Sequence, residues 1–371
     1  MANVMDYIDW RGDLSFNAAP INEIDKYIFA CIGKPDYTGI VPSDTQTVSI
    51  KTAVDGYFEA HPDVGDKLGL IASAKTLPAL KKISVSNRYD NVRLSGFINK
   101  ILVEKTEQFS AMVVNANGIN YVSFRGTDDT IVAWKENCEL AVLESVPAQR
   151  DALSYLIWAA ENYEGPLVVC GHSKGGNLAV YAACKAPEEI QARIIEVYSY
   201  DGPGFSDDFF ETAGYKRIQD RITTVVPYKD VVGMLFKHAG RLDVISAETA
   251  GVVGHDGFTW DVTRDSFIHA DDLSDFSKVF HTAISETLDG MDTDNRSELV
   301  EEIFDVLTST GAFMLSDFTE QNLRQSLEMA NQFRKAPELR SFISNLVEKS
   351  IKQAKLTREE NKAQKNMAES I

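Results

Sequence analysis

Cysteine is scarce in this chain of 371 residues: Cys31, Cys138, Cys170 and Cys184 are the only four, and no two stand in C-x-x-C spacing. A disulfide framework and a cysteine-based zinc site are therefore not expected. Long apolar runs are missing as well, so no integral membrane segment is expected. The opening residues, MANVMDYIDWRGD, lack the basic start and apolar run of a secretory signal. Positive charge is in deficit, with 37 Lys and Arg against 55 Asp and Glu and a net charge of −18. Such a surface repels phosphate backbones, which argues against nucleic acid as a partner. No P-loop is present, and Gly202-x-Gly204 stops short of a dinucleotide turn, so no cofactor is expected. Asp292-x-Asp294 begins like a calcium loop but lacks the later glycine and glutamate; it reads as a helix cap, and no metal is expected. These absences leave a small-molecule substrate and a reduced, cytoplasmic setting as the expectation.

What is present is a chain with 44% hydrophobic residues, ample for a core, in three stretches of different character. Residues 1–91 read as a helical extension packed on the core. Pro20 is expected to open a helix with Ile21, Ile24, Ile28 and Cys31 on one face. Ile50, Val54 and Phe58 form a second stripe, and Pro78 marks a third helix start. Residues 92–290 read as the core. VRLSGFINKILVEK and EQFSAMVV precede the turn Asn115–Gly118, and INYVSFRG follows it; Asn-Gly between two β-rich runs signals a hairpin. From residue 147 strands and helices alternate, which implies a mostly parallel sheet. Residues 291–371 read as a helical segment, with Asn295 and Glu298 as a capping box and a charged, solvated end.

The most informative stretch is GPLVVCGHSKGGNLAVYAACKA, residues 165–186. A buried-strand pattern runs into Gly171-His172-Ser173-Lys174-Gly175, and an alanine-rich helix follows at once. A serine on such a tight strand-to-helix turn needs glycine neighbours, and the turn puts its hydroxyl at a helix N-terminus. Serine alone is a weak nucleophile and needs a base and an acid, each from the end of a later strand. Among the histidines after it, His281 lies in a helical pattern, His269 precedes an acidic helix start and His238 precedes a strand. His255, flanked by Gly254 and Gly257 in a loop, is the favoured base. Two acids compete. Asp230 ends TTVVPYKD and Asp201 ends VYSYD; Asp230 is favoured because its loop is nearer His255 along the chain. The oxyanion donors are expected from the backbone N–H of Lys174, after the nucleophile, and from Thr127 in SFRGTDDT.

FRGT followed by Trp134, G-H-S-x-G-G, YDGPGF, VVPYKDVV and GHDGFTW together resemble the corresponding segments of class-3, fungal-type lipases. The match spans roughly residues 92–270. The opening, DYIDWRGDLSFNAAPINEIDKY, and the overall layout look closer still to a group of bacterial intracellular lipase-like proteins. The resemblance implies an α/β-hydrolase fold and a serine hydrolase cleaving carboxylic esters, with Ser173 as nucleophile, Asp230 as acid, His255 as base, and Thr127 and Lys174 as oxyanion donors. It also moves Asp201 to second place. Two departures stand out. Lys174 occupies the place of the leucine usual in the lipases' elbow, which suggests either an anionic substrate or a pairing with the acidic surface. The region 135–150 shows no obvious lid. Two other readings remain: a binding or regulatory protein without chemistry, and a thioesterase or acyltransferase using the same triad.

Overall fold

The computed structural model describes residues 1–65, 68, 73–140, 142–233, 235–249, 251–309, 311–312, 314 and 323–368. Strand-forming sequence builds one eight-stranded sheet among them: β1 (Val48–Ser49), β2 (Arg93–Leu102), β3 (Glu107–Ala116), β4 (Ile119–Phe124), β5 (Leu167–His172), β6 (Ile194–Tyr200), β7 (Ile222–Pro227) and β8 (Arg241–Ile245). Their order across the sheet is their order along the chain. β1 to β4 are antiparallel, and β4 to β8 are parallel. The β3–β4 hairpin turns at Asn117 and Gly118, both at positive φ, as its Asn-Gly pair requires.

Strand order explains the layering. Right-handed crossovers between parallel strands laid down in sequence put every crossover helix on one face of the sheet. The helices Pro147–Asn162 and Lys174–Lys185 occupy that face, where Leu156, Ala179 and Ala183 share a hydrophobic cluster with Leu167, Val169 and Val197. Alternate residues of the same strands point the other way. Val168, Cys170, Tyr200 and Val225 form a second cluster with Ile24, Ile28, Val54, Leu77 and Leu80. The N-terminal extension is thus the cover of the second face, and its β1 also joins the sheet beside β2. This is the α/β-hydrolase fold, with a mostly parallel central sheet and helices at both ends of the chain.

Several helix starts differ from expectation because side-chain caps outrank the residues that drew attention in the sequence. The first long helix of the extension begins at Glu23, not Pro20; Asn22 and Asp25 cap each other's backbone N–H groups. The helix Thr293–Thr308 is capped by Asp292, the residue read as a helix cap, which accepts from the Asn295 N–H; the Asn295–Glu298 box is not its cap. The helix after the acidic run that follows His269 begins at Asp275 and is capped by Ser274 rather than by an acidic side chain. No helix among the described residues is long and apolar enough to cross a membrane.

Candidate active site

The glycines around Ser173 are dictated by close packing. A Cβ on Gly171 would lie 2.2 Å from the carbonyl carbon of Gly175, and one on Gly175 would lie 2.1 Å from the carbonyl oxygen of Phe124. Between them Ser173 takes φ +59°, a strained conformation for a serine. Its N–H donates to the Tyr200 carbonyl at 2.9 Å, and its own carbonyl accepts from Gly176 N–H at 2.8 Å. The turn is therefore held by β6 on one side and by its own helix on the other. This is the strand–turn–helix context that the G-x-S-x-G pattern calls for.

Ser173 and His255 line one cavity of about 70 Å³, together with His172, Gly126, Thr127, Asp128, Arg125, Lys34 and Leu68. His255 follows a short helical turn, Gly251–Gly254, whose last carbonyl accepts the Trp260 indole N–H at 2.8 Å. His172, which the sequence reading did not single out, fixes the loop from below. Its Nε2 is 2.8 Å from the His255 carbonyl, which can only accept, so Nε2 carries the proton. The two imidazole rings lie 4.5 Å apart. Lys34 and Leu68 bring the N-terminal extension into the wall of the site.

The imidazole's partner is Asp201. His255 Nδ1 is 2.6 Å from Asp201 Oδ2, so Nδ1–H donates to the carboxylate and Nε2 keeps its lone pair. Asp230, the acid favoured from the sequence, is not hydrogen-bonded to the ring and instead lies against Asp201. The reason is register. β6 and β7 are adjacent parallel strands, and both acids follow their carboxyl ends; Asp201, at φ +51°, turns toward His255. Distance along the chain gave no guide to distance in space. Asp201 Oδ1 accepts the Gly233 N–H at 3.0 Å, and Asp230 Oδ1 accepts the Val232 N–H at 2.8 Å. Burial pushes Asp201 up to about 7, against the lowering effect of hydrogen bonds from Asp230 and Gly233. Burial, then the neighbouring Asp201, holds Asp230 well above the usual carboxylate range. Burial lowers His255 to about 4, opposed by Asp230 and assisted by Lys34.

The other histidines are elsewhere. His238 and His281 line a separate cavity of about 980 Å³ between the core and the C-terminal helices, and His269 pairs with Glu23 at 3.4 Å. Thr127 lies in the site wall, with its hydroxyl accepting from Asn137 Nδ2 at 2.5 Å. Lys174 opens the elbow helix, where N–H groups lack intrahelical acceptors. Its ammonium, however, neither faces the cavity nor meets the acidic surface. It is fully buried, 2.8 Å from Glu136 Oε2, and donates to the Gln108 carbonyl at 2.7 Å. Glu136 also accepts the backbone N–H groups of Ala148 and Gln108, at 2.8 and 3.1 Å. Lys174 is thus a tie between the elbow, β3 and the helix Ile131–Glu139.

Similar solved structures include fungal lipases. A Rhizomucor miehei lipase–propeptide complex is 17% identical, covering 46% of this chain and 70% of that one, with a TM-score of 0.33. The lipase from Rhizopus microsporus var. chinensis is 13% identical over 60% of this chain and 94% of that one, TM-score 0.33. A further fungal lipase is 13% identical over 68% and 86%, TM-score 0.37. No curated protein matches the chain. A family model described as Mbeg1-like matches residues 83–305, from the end of the extension through the elbow, both acids and His255, and the chain belongs to this Mbeg1-like family.

Proposed function

We propose that this protein is a serine hydrolase of carboxylic esters, working through an acyl-enzyme with Ser173, His255 and Asp201. The observation that carries the reading is the 2.6 Å contact between His255 Nδ1 and Asp201 Oδ2, at the edge of the cavity that Ser173 also lines. With Nδ1 protonated and tied to a carboxylate, Nε2 is the base. It takes the Ser173 proton as Oγ attacks the ester carbonyl, and later gives that proton to the leaving alcohol. Asp201 keeps the tautomer and stabilises the imidazolium. The N–H groups of Thr127 and Lys174 serve the tetrahedral oxyanion. Water, deprotonated by His255, then releases the acid. The substrate is an ester or lipid-like small molecule. The cavity of about 70 Å³ accommodates the reacting group only, so the arms of the substrate extend past Lys34 and Leu68.

A short-chain nitrophenyl ester and a fluorophosphonate probe test this. Native protein is expected to label promptly and to hydrolyse the ester. Ser173→Ala is expected to lose labelling and to lower kcat by roughly 10⁶-fold, as in other serine hydrolases. Equal turnover by the alanine variant would overturn the assignment.

A further inference from the structure

Two carboxyl groups, not one, stand behind His255, and their contact carries a further inference that rests on the triad proposed above. Asp201 and Asp230 are both buried and lie within hydrogen-bonding reach of each other. Gly233 is wedged between them: a Cβ there would be 2.4 Å from Asp201 Oδ1 and 2.9 Å from Asp230 Oδ2. Asp230 Oδ2 has no N–H or O–H donor aimed at it, although it is sealed from solvent. Asp201, by contrast, accepts from His255 Nδ1–H and from Gly233 N–H. Two ionised carboxylates in such contact repel strongly, and one proton between them removes the repulsion while satisfying the orphaned oxygen. Among the described residues, the charged groups that bear on this cluster are His255 beside the pair, with Lys34 and Asp256 acting on His255.

We propose that Asp230 is a neutral carboxylic acid that donates its O–H to an ionised Asp201, making it a positioning residue for the triad. Asp201 then accepts three hydrogen bonds, from His255, Gly233 and Asp230, which fix its oxygens toward Nδ1. The pair carries one negative charge, enough to hold the imidazolium formed on attack. The preference of the proton for Asp230 follows the contacts: the bond between the acids favours ionisation of Asp201 and opposes that of Asp230.

The decisive measurement is infrared difference spectroscopy near pH 8, above the Asp201 value of about 7. Native protein minus Asp230→Asn is expected to show a carboxylic-acid C=O stretch that shifts in D₂O. Activity of folded variants, checked by circular dichroism, gives the second arm. Asp230→Asn keeps an N–H donor and is expected to lower kcat/KM by about tenfold, the size of one altered hydrogen bond. Asp201→Asn is expected to lower it by about 10⁴-fold. No acid band, or a loss in Asp230→Asn as large as in Asp201→Asn, overturns the proposal and leaves Ser173 and His255 standing. Full activity in Asp201→Asn would instead overturn the triad itself. Should Asp230→Asn fail to fold, carboxyl ¹³C-aspartate labelling of the native protein decides by the presence or absence of the shifted acid band.

Discussion

Replacing Lys174, the residue after Ser173, with methionine removes a buried charge and shortens the side chain by one heavy atom. In the native protein the ammonium is 2.8 Å from Glu136 Oε2 and 2.7 Å from the Gln108 carbonyl, with neither charged side chain exposed. Burial pulls the lysine below its usual value, and Glu136 counters that pull. Lys174→Met leaves Glu136 with its two backbone donors but no counter-charge. Breaking one half of a buried pair costs about 3–5 kcal/mol, and the abandoned Gln108 carbonyl adds about 1–3 kcal/mol. Together these are a large share of the 5–15 kcal/mol that holds a typical protein folded. The double change Lys174→Met with Glu136→Gln removes the orphaned charge and is expected to recover part of the loss. Urea unfolding of the four proteins, with unchanged slopes, yields the coupling free energy directly. A single variant within about 0.5 kcal/mol of native, the range of ordinary surface changes, would refute the reasoning. So would a selective loss of activity on anionic esters relative to neutral ones, because a buried ammonium has no means of touching substrate.

Three further outcomes follow from the geometry. Arg88→Met is expected to cost about 3–5 kcal/mol in a denaturation experiment, because Asp25 would stay buried with only the Tyr7 and Tyr89 hydroxyls and a backbone N–H to hold it; a near-native midpoint would contradict this. His172→Phe keeps the ring but loses the hydrogen bond to the His255 carbonyl, and is expected to lower kcat/KM by about tenfold without loss of secondary structure. The acid limb of kcat/KM is expected near pH 7. Asp201 must be ionised to act, its raised value means that it takes a proton as pH falls through about 7, and His255, at about 4, is still neutral there. Lys34→Met acts on His255 and leaves that limb in place; a limb near 4 that moves upward in this variant would mean that the imidazole sets it.

The sheet and the tight turn at Ser173 were legible because their signals are local. Two β-rich runs gave β3 and β4, Asn117-Gly118 gave their hairpin, and the elbow needs glycines within a few residues of Ser173. The place of His255 in a loop facing the same cavity was legible for the same reason, since glycines on both sides mark a loop able to present a ring. The acid was not. Asp201 and Asp230 both follow strands, and the choice depends on how β6 and β7 align and on the positive φ at Asp201, neither of which leaves a mark in sequence. The role of Lys174 was also hidden. Adjacency to Ser173 suggested an anionic substrate or the acidic surface, yet its side chain runs inward, to Glu136 and to a carbonyl of β3. His172 carried a faint signal, as a histidine inside the elbow, but its partner is a backbone oxygen 83 residues away. The helix cap at Asp292 was read from its acceptor side chain, and the one at Asn22 was readable in principle on the same ground.

The order of the strands has a consequence for how the molecule is made. All the parallel crossovers lie on one face, so the opposite face depends on a segment that leaves the ribosome before the strands it covers. Ile24, Ile28, Val54, Leu77 and Leu80 emerge before β5 and β6, the surface they are to cover, exists. Until then the nascent chain presents a greasy stripe with no mate, the circumstance in which folding chains recruit holdase chaperones or stick to one another. A ribosome pause before residue 167 would prolong that vulnerable interval, and a pause after residue 200 would not.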